Sequence, residues 1–242
     1  MKIGVIGLGL IGGSIFKKLR ELNKYEIIGV SRSVDGVNIS NDYNTLSNCD
    51  LIFVCTPMSA TLSVLEKLEE YVSKNTIVTD VCSLKEFVSK RKYKYNFIPS
   101  HPMAGTENSG WESSYPELFQ GAKWVITPID GKISDEQEKL ETIIEEIGAK
   151  VVITTPEEHD KAVALISHMP MVVAQALCAN INDNTLAQTL ASSGFRETTR
   201  LALSNTQMAV DMVNMNRENI EVALDTLTKN LNKLLNEDYS KE

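Results

Sequence analysis

Residues 2–6, Lys-Ile-Gly-Val-Ile, run straight into Gly7-Leu8-Gly9-Leu10-Ile11-Gly12. A short apolar run ending in glycine has the pattern of a strand buried in a parallel sheet. Behind the glycines, Ile11, Ile15, Leu19 and Leu22 recur at helical spacing. Strand, G-x-G-x-x-G turn and helix in immediate succession are the context that turns a common glycine pattern into a dinucleotide site. Gly7 permits the tight turn, Gly9 lets a pyrophosphate approach the backbone, and Gly12 allows close packing of helix on strand. The N–H groups at the helix start, among Leu8, Leu10 and Ile11, face the anion.

The rest of the chain extends this pattern. "EIIGVS" (26–31), "DLIFVCTP" (50–57), "TIVTDV" (76–81), "AKWVITPI" (122–129) and "AKVVITT" (149–155) read as strands, and "YNFIPSHP" (95–102) contains one more, ahead of "SHP". Helical segments alternate with them, including "LSVLEKLEEYV" (62–72) and "DEQEKLETIIEEIG" (135–148), the latter with Ser134 as N-cap and Gly148 as stop. Strands alternating with helices predict a doubly wound parallel α/β sheet for residues 1–153. Residues 154–242 carry only helical periodicity, first Val163, Ile166, Met169, Val173 and Leu177, then a long amphipathic helix over 216–238 with Ile220, Leu224, Leu227, Leu231 and Leu234. That much apolar helix surface requires cover from the first domain, a second subunit or both, so a homodimer is expected.

The totals exclude several classes. A net charge of −8 disfavours general attraction to nucleic acid or an anionic membrane, and "KRKYK" (90–94) reads as a solvated basic turn. Cys49, Cys55, Cys82 and Cys178 are scattered, which suits reduced thiols in a cytoplasm. With three histidines and no clustered thiolates, no metal site is expected. No uninterrupted apolar stretch approaches ~20 residues, so no membrane span is expected.

In such a sheet the end of the second strand meets the adenosine ribose, where an acid selects NAD and an arginine accommodates the 2′-phosphate of NADP. Here Arg32 lies 20 residues beyond Gly12, and residues 27–34 contain no Asp or Glu. A guanidinium makes charge-assisted bonds to phosphate, and Ser31 and Ser33 add hydroxyls. NADP is therefore the favoured cofactor, with NAD the alternative. Residues beyond the other strands surround a ligand at the sheet's carboxyl edge. Thr56 and Pro57 of "CTP", Ser83 of "TDVCSLK" and His101 of "SHPMAGTENSG" qualify, and a neutral imidazole suits a general base.

These residues carry a resemblance. "GLGLIGGS", "CTP", "TDVCSLK", "HPMAGTENSG", "HDKAVALISHMP" and "SSGFRETTR" run in the order seen in prephenate and arogenate dehydrogenases, over roughly residues 3–212. The "HPMAGTE" and "SGFR-x-x-[ST]R" blocks are far more specific than the glycine motif. The resemblance implies a Rossmann domain followed by a helical dimerisation domain, and oxidative decarboxylation of a cyclohexadienol. It implies that His101 takes the proton of the ring 4-hydroxyl as hydride leaves the ring, and that Ser83 holds that hydroxyl or orients the imidazole. Arg200 matches the carboxylate-binding arginine. Arg196, four residues earlier, is a second contact or a surface charge, and Thr106 and His168 join the substrate-binding set.

The match departs at Met171, where prephenate-specific members have a second histidine, and at Ala209, where a tryptophan is expected. With "GVSR" and "SSGFR", this resembles the NADP-using, arogenate-accepting branch, while prephenate and arogenate both stay open. His159 of "PEEHD" reads as a surface residue near a helix start. His168 serves packing as readily as substrate contact, and Trp111, Trp124 and Met171 read as core. A β-hydroxyacid dehydrogenase would need K-x-x-N, but Lys161 is followed by Ala162-Val163-Ala164. A non-catalytic NADP-binding protein would not need His101, Ser83 and Arg200 together.

Overall fold

The computed structural model describes residues 1–106, 108–129, 134–203 and 206–236. It divides into two compact units, one spanning Met1–His159 and one beginning at Asp160. In the first, β1 (Lys2–Ile6), β2 (Glu26–Val30), β3 (Ile39–Ser40), β4 (Leu51–Val54), β5 (Ile77–Asp80) and β6 (Asn96–Phe97) form one sheet in the order β3-β2-β1-β4-β5-β6. All its ladders are parallel. α1 (Leu10–Leu22), α2 (Met58–Leu68), the short α3 (Glu86–Ser89) and α4 (Asp135–Ile147) complete the unit's helices up to residue 147. β1 and β4 are apolar on both faces and β5 in its first half, with Ile3, Val5, Leu51, Ile52, Phe53, Val54 and Val78 fully buried. Two clusters result, and the larger joins Phe16 and Leu19 of α1 to Leu140 and Ile144 of α4. Ser134 caps α4 by accepting from Gln137 N–H at 3.2 Å, and Gly148 ends it with φ 105°.

The sequence predicts one continuous sheet through residue 153; the chain instead builds two. "YNFIPSHP" splits at Pro99, which has no N–H to give a ladder. β6 closes the first sheet, and β7 (Ser100–Pro102) opens a second with β8 (Lys123–Ile126) and β9 (Lys150–Ile153). β7 is antiparallel to β8, and β8 is parallel to β9. His101 therefore lies within a strand, opposite Val125, and not in a loop after one.

A helix begins at Pro156, where Thr155 Oγ1 accepts from Glu158 N–H at 3.2 Å. It runs as α5 (Pro156–Val163), one π turn (Ala164–His168) and α6 (Met169–Asn180). The π turn precedes Pro170, which cannot donate to the carbonyl four residues back. The rest of the second unit is α7 (Thr185–Leu190), α8 (Ser193–Thr198), α9 (Thr206–Met215) and α10 (Arg217–Asn236), with positions 237–238 of the expected closing helix outside the described residues. Pro156–Asn180 corrects one expectation: its 25 residues, with a window of mean hydropathy 1.7, are long and apolar enough to cross a membrane by length and composition. Short polar side chains interrupt the run in sequence, yet no Asp, Glu, Lys or Arg occurs between Lys161 and Asp183. Leu165 and Ile166 within it stay exposed on the single chain, as do Leu203, Val222 and Leu235.

Candidate active site

Register aligns the carboxyl ends of the central strands. Ile6 pairs with Val30 and Val54, and Val54 with Asp80. Gly7, Ser31, Cys55 and Val81 consequently emerge along one edge, with the order reversing between β1 and β4, where such sheets bind ligands. Gly7 has φ +85°, and a Cβ there would meet Cys55 O at 2.6 Å. A Cβ on Gly12 would meet Gly7 O at 2.0 Å, so only glycine lets α1 start this close to β1. Around Gly9, by contrast, no atom of the described residues lies within 4 Å of a Cβ position. Gly9 N-caps α1 without a side-chain bond, and the first turn holds no acidic residue. An open cradle facing helix N–H donors fits a dinucleotide pyrophosphate, and Leu8, Leu10 and Ile11 complete the turn around it.

At the next strand end, Ser31 Oγ accepts from Ser33 N–H and Val34 N–H at 3.2 and 3.1 Å. The hydroxyl shapes this turn and keeps its own proton to donate. Arg32 and Ser33 are exposed, and Arg32 makes no ion pair among the described residues. Its charge acts to lower the Tyr43 phenol, whose pKa burial nonetheless raises. Thr56 Oγ1 shares a hydrogen bond with Thr61 Oγ1 at 3.0 Å, and Pro57 caps α2.

Beneath the β5 edge lies a buried polar network. Lys85 and Asp80, both 0% exposed, form an ion pair through Nζ and Oδ2. Lys85 Nζ also donates to Ser100 O at 2.6 Å, and Asp80 Oδ2 accepts from Cys82 N–H at 2.9 Å. Asp80 Oδ1 accepts from Ser100 N–H at 3.3 Å, and Ser100 Oγ donates to Asp80 O at 2.9 Å. Trp124 Nε1–H closes the set on Ser100 Oγ at 2.9 Å. Sequence reasoning passed over Asp80 and Lys85, although "TDVCSLK" contains both. Their effect is to fasten Ser100, and so His101, to the turn that carries Ser83. The network also buries Cys82, whose thiol desolvation pushes up to about 12.

His101 is half-buried, and its Nδ1 lies 2.9 Å from Nε2 of His159, the rings standing edge to face at 78°. His159 is 3% exposed, which overturns the surface reading. The second sheet explains it: Ser100, Ile126 and Ile153 are aligned, so the chain leaving β9 enters α5 beside His101. Ser83 Oγ donates to Met58 Sδ at 3.4 Å, so in this structure His159, and not Ser83, engages Nδ1 of the imidazole. Thr106 is exposed, its Oγ1 accepting from Asn108 N–H at 3.2 Å.

In the second unit, Arg200 and Arg196 are both exposed, on successive turns. Arg196 lines an open cavity of about 490 Å³ with Cys178, Phe195, Thr199 and Leu203. His168 is 1% exposed, with Nδ1 3.1 Å from the Asn216 amide nitrogen, which also donates to Asp160 O at 2.9 Å. Met171 and Ala209 are buried core positions.

Comparison with known proteins gives this arrangement a family. The family description "Prephenate dehydrogenase, nucleotide-binding domain" matches residues 29–153, and "Prephenate dehydrogenase, dimerization domain" matches 155–239. A prephenate dehydrogenase of Bacillus subtilis is 30% identical over 94% of this chain and 67% of its own. The crystal structure of Synechocystis arogenate dehydrogenase superposes with a TM-score of 0.84 at 36% identity, covering 97% of this chain and 91% of that one. Prephenate dehydrogenase from A. aeolicus, in complex with hydroxyphenyl propionate and NAD+, superposes with a TM-score of 0.86 at 26% identity, covering 97% and 89%. With its parallel nucleotide-binding sheet followed by a helical unit, the chain belongs to the prephenate dehydrogenase family and is an NAD(P)-dependent oxidoreductase.

Proposed function

We propose that this protein catalyses oxidative decarboxylation of prephenate or arogenate with NADP as the preferred hydride acceptor. The observation that carries the chemistry is His101, a half-buried imidazole fastened to the carboxyl edge of the dinucleotide sheet. A nicotinamide cofactor, when bound at the glycine turn, would supply the acceptor for hydride from ring C4. His101 takes the proton of the 4-hydroxyl as that carbon becomes a carbonyl, and loss of the ring carboxylate as CO₂ then aromatises the ring. Ser83, on the turn fastened to His101, orients the ring hydroxyl. Arg200 receives a substrate carboxylate by bidentate pairing, with Arg196 and Thr106 as further contacts, and His168, bonded to Asn216, serves as a substrate contact or in packing.

The NADP preference rests on Arg32 and the two flanking hydroxyls at the end of β2, with no Asp or Glu among residues 27–34 to repel a 2′-phosphate. A slight lean towards arogenate rests on Met171, which gives no strong hydrogen-bond donor where prephenate-specific relatives have histidine. Residues 1–153 form the cofactor domain and 154–242 the substrate and dimerisation domain of this reading. The helices dimerise through apolar positions exposed on one chain, among them Ile166, Leu203 and Leu235. The enzyme works in the cytoplasm on a small-molecule substrate. A two-by-two steady-state assay, prephenate or arogenate against NAD or NADP, tests it. Turnover with neither dienol would overturn the reaction, and a large preference for NAD would overturn the cofactor assignment.

A further inference from the structure

We infer that His159 is a positioning residue for the reaction, holding His101 in the one neutral tautomer that can act as base. This inference rests on the reading of His101 as the proton acceptor. The two imidazoles meet Nδ1 to Nε2 at 2.9 Å, and a hydrogen bond between them requires one nitrogen to carry the proton and the other a lone pair. Two arrangements are available. If His159 donated, His101 would be neutral with its proton on Nε2, and neither nitrogen would offer a lone pair to a substrate hydroxyl. If His101 Nδ1–H donates to His159, Nε2 of His101 keeps its lone pair for the substrate.

Only the second arrangement also survives the reaction. Once His101 has accepted the proton it is an imidazolium, with N–H on both nitrogens. His159 Nε2 then continues to accept from Nδ1, now in a charge-assisted bond, so no bond has to be exchanged during proton transfer. The site is built for a fixed partner. His159 is 3% exposed and sits one turn into α5, its N–H donating to Thr155 O at 3.0 Å. His101 is held from the other side by β-pairing with Val125 and by the Ser100 network. Both rings therefore sit on regular elements, which orient a base more reliably than loops do. Ser83, bonded to Met58 Sδ, leaves the Nδ1 role to His159.

The test uses the full-length enzyme with whichever dienol is turned over, and four samples: wild type, His159→Leu, His159→Gln and His101→Asn. A glutamine Oε1 can accept from Nδ1–H, whereas leucine cannot. His159→Leu should lower kcat by roughly 10–10²-fold, a share of the ~10²–10⁴-fold that general-base catalysis contributes, with KM for NADP unchanged. His159→Gln should restore most of the loss, and long-range ¹H–¹⁵N spectra of wild type should show His101 protonated on Nδ1. Normal kcat in His159→Leu beside an inactive His101→Asn would overturn the inference and leave the base intact. Normal kcat in His101→Asn would overturn the reading beneath it. Should His159→Leu fail to fold, the wild-type spectrum decides, and a His101 ring protonated on Nε2 alone would refute the proposal.

Discussion

Replacing Lys85 by methionine tests whether the buried ion pair holds the two sheets together. Lys85 and Asp80 are both 0% exposed, so the substitution leaves an ionised or forcibly protonated carboxyl inside the protein. It also deprives Ser100 O of the Nζ donor at 2.6 Å. Removing one partner of a buried pair costs about 3–5 kcal/mol. The Cys82 and Ser100 N–H groups still solvate the carboxylate, which places the expected loss towards the lower end of that range. For a chain of 150–250 residues, each kcal/mol corresponds to roughly 2–4 °C, so the melting temperature should fall by at least about 6 °C. The double variant Asp80→Asn with Lys85→Met buries no charge, while the amide oxygen still accepts one of the two N–H groups. It should therefore recover a large part of the loss. Urea and thermal denaturation of the three proteins check this. A single variant within about 1 kcal/mol of wild type, or a double variant no better than the single, would refute the account, because the uncompensated buried charge is the larger part of the penalty and the lost Ser100 O donor is common to both variants.

Other expectations follow from the same geometry. Gly9→Ala meets no atom among the described residues, so it should leave the melting temperature unchanged while raising KM for the dinucleotide; Gly12→Ala, driven into Gly7 O, should lose about 1–3 kcal/mol of stability, and both follow from one thermal scan with a cofactor titration. Tyr25→Phe removes a 2.6 Å bond to Glu146 that helps hold this carboxyl below its ordinary value of 4.5, and should cost about 1 kcal/mol at pH 7. Because the folded value is the lower one, that stabilisation is present above 4.5 and fades as pH falls through the folded value, so wild type and variant should converge in acid denaturation. Arg200→Ala should raise KM for the dienol with little change in KM for NADP; an unchanged dienol KM would remove it from the substrate site.

Much of this fold is written in local pattern. The glycine turn, the apolar β1 and β4, and the Ser134 and Gly148 caps follow from single segments and hold in the structure. The split into two sheets does not, because strand direction at "SHP" depends on which neighbour it pairs with, and one proline is the only local trace. His159 was misread for the same reason. Its burial depends on β7 running antiparallel to β8 while β9 runs parallel, a long-range register that no spacing in "PEEHD" reports. Asp80 and Lys85 were visible, but a charged pair five residues apart reads as solvated until both strand ends are known to be covered. Short-range periodicity also underrated Pro156–Asn180, where scattered Ser, His, Gln and Cys conceal a helix without a charged side chain beyond its first turns.

Net charge is a poor guide to what such a chain binds. A protein of charge −8 is proposed to hold a phosphate-rich cofactor and an anionic dienol, and the resolution lies in range. At physiological salt, exposed charges more than about 8 Å apart are largely screened, so a bound anion responds to its immediate donors. At the turn the proposed donors are backbone N–H groups of α1, which has no acid in its first turn. At the β2 edge the proposed donors are Arg32 and hydroxyls, and in the helical unit they are Arg196 and Arg200, all three arginines exposed. Acidic residues collect elsewhere, as in the first turn of α4, where Asp135, Glu136 and Glu138 face the positive helix end. The surface total therefore governs solubility, while local donors decide affinity. Substituting Arg32 should consequently alter discrimination between NADP and NAD far more than changing the net charge by one at a remote site.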